Sequence, residues 1–290
     1  MSGSKLADFV GVFDVETADW DGRTRGRVLC NRSQVVFAAD GHRERIRTSD
    51  IFDVTVGSPP RNLAPVPDTP MTIAYENGGG RAVAVVGAEH STVEKFESVL
   101  FRVLLNGRSV TVKHPARVGG RVTDASYRSG TLALADGGVT VDAGDDPVTI
   151  QYAAVTHFSR MARAVDGTKR TTLTIGHVDD GVGQTTHLAT DTTRTSSLLG
   201  RYLRQRYDEL VASLADVTLS EQGVEALHTM YATGGDPRRL VAVLGLEPDA
   251  VKRLLRSLGE DGLITRRDDG FALTTKGQVV VNHYVARVNE

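Results

Sequence analysis

The sequence contains few of the features that mark secreted, membrane-embedded or disulfide-linked proteins. It has one cysteine, Cys30, which excludes a disulfide within the chain. No uninterrupted apolar stretch approaches the roughly 18–20 residues that a membrane-spanning helix requires. The first residues do not combine a basic segment with a long apolar run, as a signal peptide does. We therefore expect a cytoplasmic protein that does not insert into membranes.

Motifs of the common enzyme classes are missing as well. The sequence has no Gly-x-Ser-x-Gly, no Gly-x-x-x-x-Gly-Lys-Ser/Thr and no Cys-x-x-Cys. Its histidines are scattered, and only His177 and His187 flank one predicted hairpin, whereas a zinc site needs three or four ligands. The paired acids Asp145-Asp146 and Asp179-Asp180 lie beside glycine or proline, as turn residues do. We expect no metal, no cofactor and no enzyme activity.

The chain has almost equal numbers of charges of each sign. Thirty-four basic and 36 acidic residues give a formal net charge of -2. Binding to phosphate backbones requires an excess of positive charge on some face. The overall balance indicates that the protein is not a general nucleic-acid binder.

An internal repeat organises the first two thirds of the chain. Residues 26–54 align with residues 130–158 at an offset of 104 positions, without a gap. The apolar positions coincide while the polar positions differ, as expected for two copies of one fold with the same buried positions. The matched pairs are Gly26 and Gly130, Val28 and Leu132, Cys30 and Leu134, Val35 and Val139, Phe37 and Val141, Ile46 and Ile150, Ile51 and Val155, and Val54 and Phe158.

Each copy is predicted to contain seven short strands and one closing helix. In the first copy, Asn77-Gly78-Gly79-Gly80 predicts a tight hairpin turn, and Ser91 with Glu94 predicts a capping box at the start of the helix. In the second copy, the first strand is predicted at Gly119–Ala125 and the helix at Thr195–Leu214.

The last region changes in pattern. Helical segments follow one another, and Asp236-Pro237 predicts an N-cap followed by proline in the first turn. Two short strands and a last helix complete a predicted winged helix-turn-helix domain. The fold class is thus α+β, with two tandem pleckstrin-homology-like split β-barrels, each closed by a C-terminal helix, and a winged helix. The predicted domains are residues 1–108, 109–216 and 217–290.

The winged helix raises the hypothesis of a DNA-binding transcription regulator with two sensor domains. Its recognition-helix candidate carries Lys252, Arg253 and Arg256, but the helix begins with Glu247-Pro248-Asp249. Acidic residues at the end that would enter the major groove repel phosphate. Protein contacts are therefore the favoured use of this domain, with no nucleic acid as partner.

The repeat also fixes which side chains of the first unit face solvent. Val28 and Cys30 coincide with apolar positions of the second copy, so they are expected to face the core. The odd positions before them then face outward, as do the odd positions around Ile46. Six guanidinium groups are predicted to share one face as partner-binding residues: Arg23, Arg25, Arg27, Arg43, Arg45 and Arg47.

Two interpretations of this face remain open. In one, it is a solvated surface whose arginines pair with nearby acids such as Asp21 and Asp40. In the other, it binds an acidic protein or a lipid head group, because arginine pairs bidentately with carboxylate and phosphate. Of these two ligands, we favour the acidic protein.

One family shares these motifs. The run Gly26-Arg27-Val28-Leu29-Cys30-Asn31-Arg32-Ser33-Gln34-Val35-Val36-Phe37, then Ile46 and Asp50-Ile51-Phe52-Asp53-Val54, resembles the archaeal chemotaxis protein CheF family. The tandem layout and the final winged helix fit the same resemblance. It implies a non-catalytic adaptor without cofactors that links the phosphorylated response regulator CheY to the switch proteins of the archaellum motor. The resemblance assigns no binding residue by position.

Overall fold

A computed structural model shows how the chain folds. It describes residues 4–20, 22–57, 66, 68–179, 182–212, 219–233, 235–267 and 270–288. Within these residues lie two large antiparallel sheets, a two-stranded sheet and six α-helices, which confirms the α+β class. None of the helices in those ranges is both long and apolar enough to cross a bilayer.

Seven strands and one helix form the first unit. They are β1 (Ala7–Val15), β2 (Thr24–Cys30), β3 (Gln34–Ala39), β4 (His42–Arg47), β5 (Ile51–Val56), β6 (Thr69–Asn77), β7 (Gly80–Ala88) and α1 (His90–Leu105). The strand order is β4-β3-β2-β1-β7-β6-β5. Gly78 and Gly79 take positive φ in the turn between β6 and β7, which confirms the predicted hairpin.

The second unit repeats this plan with one additional short strand. Its elements are β8 (Ser109–Val118), β9 (Arg121–Val122), β10 (Arg128–Leu134), β11 (Gly138–Asp142), β12 (Val148–Gln151), β13 (Val155–Val165), β14 (Thr168–Asp179), β15 (Val182–Thr190) and α2 (Thr193–Ala212). The order along the sheet is β12-β11-β10-β8-β15-β14-β13, and β9 pairs only with β8. Apart from β9, this is the strand order of the first sheet.

The predicted first strand of the second unit was wrong. Gly119–Ala125 is not that strand: Gly119 and Gly120 form a turn with positive φ, and only Arg121–Val122 pair back onto β8. Pro115 lies within β8. Judged from the sequence alone, a proline argues against a strand, because it has no N–H to donate to the ladder. In the structure it lies where the β8–β15 register shifts, so no regular ladder bond is required of it.

The two units share their register as well as their strand order. Val28 pairs with Phe37 in the first unit, and Leu132 pairs with Val141 in the second, again 104 positions apart. A Cβ atom on Gly26 would lie 2.3 Å from the carbonyl oxygen of Ala38. A Cβ on Gly130 would lie 2.7 Å from that of Asp142. The same close approach of two strands therefore requires glycine at this position in both units.

The two closing helices join the units into one core. Helix α1 packs on β10 of the second sheet as well as on its own sheet, and α2 packs on β5 of the first. The guanidinium of Arg194 in α2 donates hydrogen bonds of 2.6 Å to the carbonyl oxygens of Ile51 and Thr48. A single cluster of buried apolar residues consequently includes side chains from both units.

The capping box predicted at the start of α1 was wrong. The N-cap residue is Glu89, and no side chain caps the helix there. Ser91 and Glu94 both lie inside the helix, and Glu94 contacts His90 at 3.1 Å. The N-cap lies two residues before the predicted one, and the helix itself begins at His90.

The C-terminal region has a second, smaller core. Its elements are α3 (Glu221–Thr233), α4 (Pro237–Leu244), α5 (Pro248–Glu260), β16 (Ile264–Arg267), β17 (Gly270–Leu273) and α6 (Thr275–Val288). The carboxylate of Asp236 accepts a 2.9 Å hydrogen bond from the backbone N–H of Arg238, which confirms the predicted cap. Asn282 of α6 donates a 3.1 Å hydrogen bond to the carbonyl oxygen of Thr156, so this region contacts the second unit.

Candidate functional site

Five of the six predicted arginines lie exposed on the outward side of the first sheet, and Arg23 is exposed immediately before β2. Strand β3 separates β2 from β4, and Ala38 of β3 has Arg27 on one side and Arg43 on the other. In the next row, Val36 has Leu29 on one side and Arg45 on the other. We call this outward side of β1 to β4 the basic face. Its six arginines are Arg23, Arg25, Arg27, Arg43, Arg45 and Arg47.

Two of these arginines are held by carboxylates of the first unit. Arg27 donates two hydrogen bonds to Asp8, of 2.5 and 2.9 Å, and Lys5 donates a third of 2.9 Å. Arg27, together with Lys5, lowers the pKa of Asp8 to about 2, so this carboxylate is ionised at neutral pH. Arg47 donates a 2.7 Å hydrogen bond to Asp50. These arginines have restricted positions.

Three of the other arginines leave positive charge available. Arg25, Arg43 and Arg45 make no ion pair with any residue that the structure describes. Of the acids expected as local partners, Asp40 makes no ion pair within the same ranges and Asp21 lies outside them. The pairing that does occur uses Asp8 and Asp50 instead.

Sequence reasoning missed an aliphatic component of the basic face. Val10 of β1 is 58% exposed and lies opposite Arg27, while Leu29 and Val36 are half-buried between strands that carry arginines. The alternation that placed the arginines outward also places these three residues outward, and that signal was present in the sequence. The face thus combines exposed and half-buried aliphatic side chains with unpaired cations, a composition found in protein-binding surfaces.

Cys30 and the histidine pair lack features that a reactive cysteine or a shared metal site requires. Burial raises the pKa of the Cys30 thiol to about 11, whereas a reactive cysteine requires a lowered pKa. His177 and His187 lie on opposite faces of the second sheet, because they pair with Gln184 and Thr174 in a regular ladder. Over the ranges that the structure describes, no group of three metal-ligating side chains is present.

Comparison with known proteins identifies the family. Residues 5–209 match the family described as archaeal chemotaxis signal transduction system protein F. The chain belongs to this family. The resemblance seen in the sequence motifs is thereby confirmed. Residues 211–289 match a second family, described as the HVO_A0261 N-terminal domain.

Two relatives from Halobacterium salinarum (strain ATCC 29341 / DSM 671 / R1) align with nearly the whole chain. The taxis protein CheF2 is 40% identical over 289 residues, which cover 100% of both proteins. The taxis protein CheF1 is 23% identical over 293 residues, which cover 97% of both. This family member is therefore an archaeal chemotaxis signal transduction protein, and neither matched family is described as an enzyme.

Proposed function

We propose that this protein is a non-catalytic, cytoplasmic adaptor that binds the phosphorylated response regulator CheY and couples it to the switch proteins of the archaellum motor. Membership of a chemotaxis signalling family supports a role in chemotaxis. The basic face supports binding of an acidic protein partner. The adaptor needs no cofactor, no nucleic acid and no membrane insertion for this role.

The observation that carries the proposal is a difference between the two units. At the positions 104 residues after the six arginines, the second unit has no basic side chain. Both sheets nevertheless have the same strand order and register, so folding does not require arginine at these positions. The corresponding residues are Tyr127, Ser129, Thr131, Pro147, Thr149 and Gln151.

The arrangement of the basic face fits a protein partner better than a lipid head group. Val10, Leu29 and Val36 offer apolar area for a partner side chain. The unpaired Arg45 lies directly opposite Val36. An interface gains affinity from a desolvated centre and gains orientation and association rate from charges at its rim. An acidic surface with one or two exposed apolar side chains complements such a face.

Charge reversal tests the proposed CheY site. We expect Arg25→Glu with Arg45→Glu to raise the Kd for phosphorylated CheY at least tenfold, about 1.4 kcal/mol, because two attractive charges become repulsive. Titration calorimetry with purified proteins measures this change. The matched control is Arg121→Glu with Lys169→Glu, which makes the same charge change at exposed positions of the second unit.

The control should bind CheY as the unmodified protein does, and both variants should retain its circular dichroism spectrum. Equal affinity of the two double variants would remove the basic face from the proposal. In a pull-down, the Arg25→Glu/Arg45→Glu variant should still retain the archaellum switch proteins if they bind a separate surface.

The adaptor role also requires that CheY phosphorylation changes affinity. A signal passes only when the partner binds one state better than the other. Phosphorylated CheY should therefore bind more tightly than unphosphorylated CheY in the same titration. Equal Kd values for both forms would contradict the role even if the basic face were the binding site.

We further propose that the two units are pleckstrin-homology-like split barrels and that the last region is a winged helix-turn-helix domain. Seven antiparallel strands followed by a helix, in the same order twice, support the barrels. Three helices, a two-stranded sheet and a last helix support the winged helix. The proposed domains are residues 1–108, 109–216 and 217–290.

A DNA-binding transcription regulator is the second candidate, because α5 exposes Lys252, Arg253 and Arg256. Asp249 pairs with Lys252 at 3.1 Å, which reduces the charge available at the start of that helix. A gel-shift assay across salt concentrations distinguishes the candidates. Specific binding that weakens steeply with salt would favour the regulator.

A further inference from the structure

A second cluster of cations lies on the outward side of the second sheet. Thr174, His187 and Lys113 are cross-strand neighbours on β14, β15 and β8. The hydroxyl of Tyr127 lies 3.4 Å from Nδ1 of His187, and the two rings stack with centroids 6.5 Å apart. These side chains form one continuous polar row across the sheet.

Three cations act electrostatically on the imidazole of this row, and one of them, Lys113, is its direct cross-strand neighbour. Burial is the main cause that lowers the pKa of His187 to about 4. The positive charges of Arg163, Lys113 and Arg117 contribute to the same shift. None of the three makes an ion pair with a residue that the structure describes. Burial raises the pKa of Tyr127, and Asp166, in the turn after β13, raises it as well. Asp166 forms no ion pair with these cations.

This arrangement contrasts with other arginines of the same unit. Arg128 and Arg170 pair with Asp146 and Asp191, at 3.1 and 2.7 Å. Cations that lie near a neutral imidazole without carboxylate partners repel one another, and a bound anion would relieve that repulsion.

Two buried polar atoms in the cluster have unused hydrogen-bonding capacity. Nε of Arg163 and Oγ1 of Thr174 are buried, and neither has a hydrogen-bond partner among the described residues. Thr174 is only 7% exposed. Buried donors normally have an acceptor, and both groups are able to donate to an oxygen atom.

We propose that Lys113, Arg117, Arg163, Thr174 and His187, here called the anion cluster, bind a phosphate-type oxyanion. Guanidinium groups match the geometry of tetrahedral oxyanions, and lysine adds a point charge. The anion cluster belongs to the second unit, whereas the basic face belongs to the first, so this site does not depend on the proposed function.

Thermal unfolding in sodium phosphate tests the site. At pH 7 and constant ionic strength, replacing chloride by 20 mM phosphate should raise the Tm by about 2–4 °C, because a ligand of the folded state stabilises it. Lys113→Gln with Arg163→Gln should abolish this rise. The exposed pair Arg121→Gln with Lys169→Gln should retain it. An equal rise in both double variants, or no rise in the unmodified protein, would overturn the proposal.

The same unfolding measurement with ATP distinguishes an inorganic phosphate ligand from an organic one. If ATP without magnesium produces the same Tm rise at a tenfold lower concentration, and the Lys113→Gln/Arg163→Gln variant loses that rise, the site takes an organic phosphate. If both ligands act in the same concentration range through the cluster, the phosphate group alone is recognised. A rise from ATP that survives in this variant would contradict the site.

A measurement on the unmodified protein avoids any dependence on variants. In imidazole NMR spectra, phosphate should shift the signals of His187 and leave those of His177 unchanged, because His177 lies on the opposite face of the sheet. Equal shifts of both histidines, or none, would count against the anion cluster.

Discussion

Replacing Phe101 by alanine should lower the free energy of unfolding by about 3–5 kcal/mol. Phe101 is fully buried in α1, and its ring centroid lies 5.0 Å from that of Tyr202 in α2. The change removes the contacts of a large side chain and leaves a cavity where the two units meet. Denaturant-induced unfolding, followed by circular dichroism, measures the difference.

The control for this variant is Tyr231→Ala. Tyr231 is 58% exposed, so its truncation should cost less than about 1 kcal/mol. Since one apolar cluster contains residues of both units, we expect the two units to unfold in one transition. A cost below about 1 kcal/mol for Phe101→Ala, or separate transitions for the two units, would show that the core is not shared.

Replacing Glu97 by glutamine should remove a pH dependence of stability between about pH 4.5 and pH 7. Glu97 is 1% exposed, and its Oε2 accepts a 2.6 Å hydrogen bond from Gln205 and lies 3.3 Å from Arg206. Its Oε1 has no hydrogen-bond partner within the described ranges. Burial raises the pKa of Glu97 to about 7, although Gln205 and Arg206 both lower it.

The sign of the effect follows from proton binding. Because the pKa of Glu97 is higher in the folded than in the unfolded chain, this group contributes its full stability below about pH 4.5. That contribution is lost as the pH rises through about 7. The unmodified protein should lose about 2–3 kcal/mol across this window from Glu97 alone.

Unfolding free energies measured from pH 4.5 to pH 8 test this prediction. Glu97→Gln should be more stable than the unmodified protein at pH 8, because glutamine does not ionise. Glu260→Gln changes an exposed carboxylate at the end of α5 and should leave the pH dependence unaltered. The same slope in Glu97→Gln and in the unmodified protein would disprove the assignment.

Much of the first unit was predictable because its signal is local. Alternating apolar residues place Val28 and Val35 inward, and the offset of 104 positions repeats this pattern at Leu132 and Val139. Side-chain alternation depends only on the extended backbone, so neighbouring residues suffice to predict it.

The errors occurred where a longer-range contact overrides local preference. Pro115 lies within β8 because the ladder to β15 shifts register at that point, and this depends on residues 70 positions away. Ser91 and Glu94 match a capping box, but the helix begins at His90, immediately after a strand of the sheet. Local pattern alone does not determine where packing on the sheet sets a helix boundary.

The candidate site, too, was predictable only in part. The outward direction of the six arginines followed from strand phase, whereas their pairing did not. Arg27 is held by Asp8, which lies 19 residues earlier on the adjacent strand. The sequence suggested acids nearer in the chain, because a sequence alone does not show which strands become neighbours.

The repeat, the inward and outward sides of β2 and β4, the α+β class and the family could all be inferred from the amino-acid sequence. Only the folded chain shows which arginines remain unpaired, that α1 and α2 merge the units into one core, and that Lys113 lies opposite His187. These two groups of features differ in how far apart along the chain the interacting residues lie. Side-chain alternation is a property of adjacent residues, but charge pairing and core packing join residues as distant as Arg194 and Ile51, 143 positions apart.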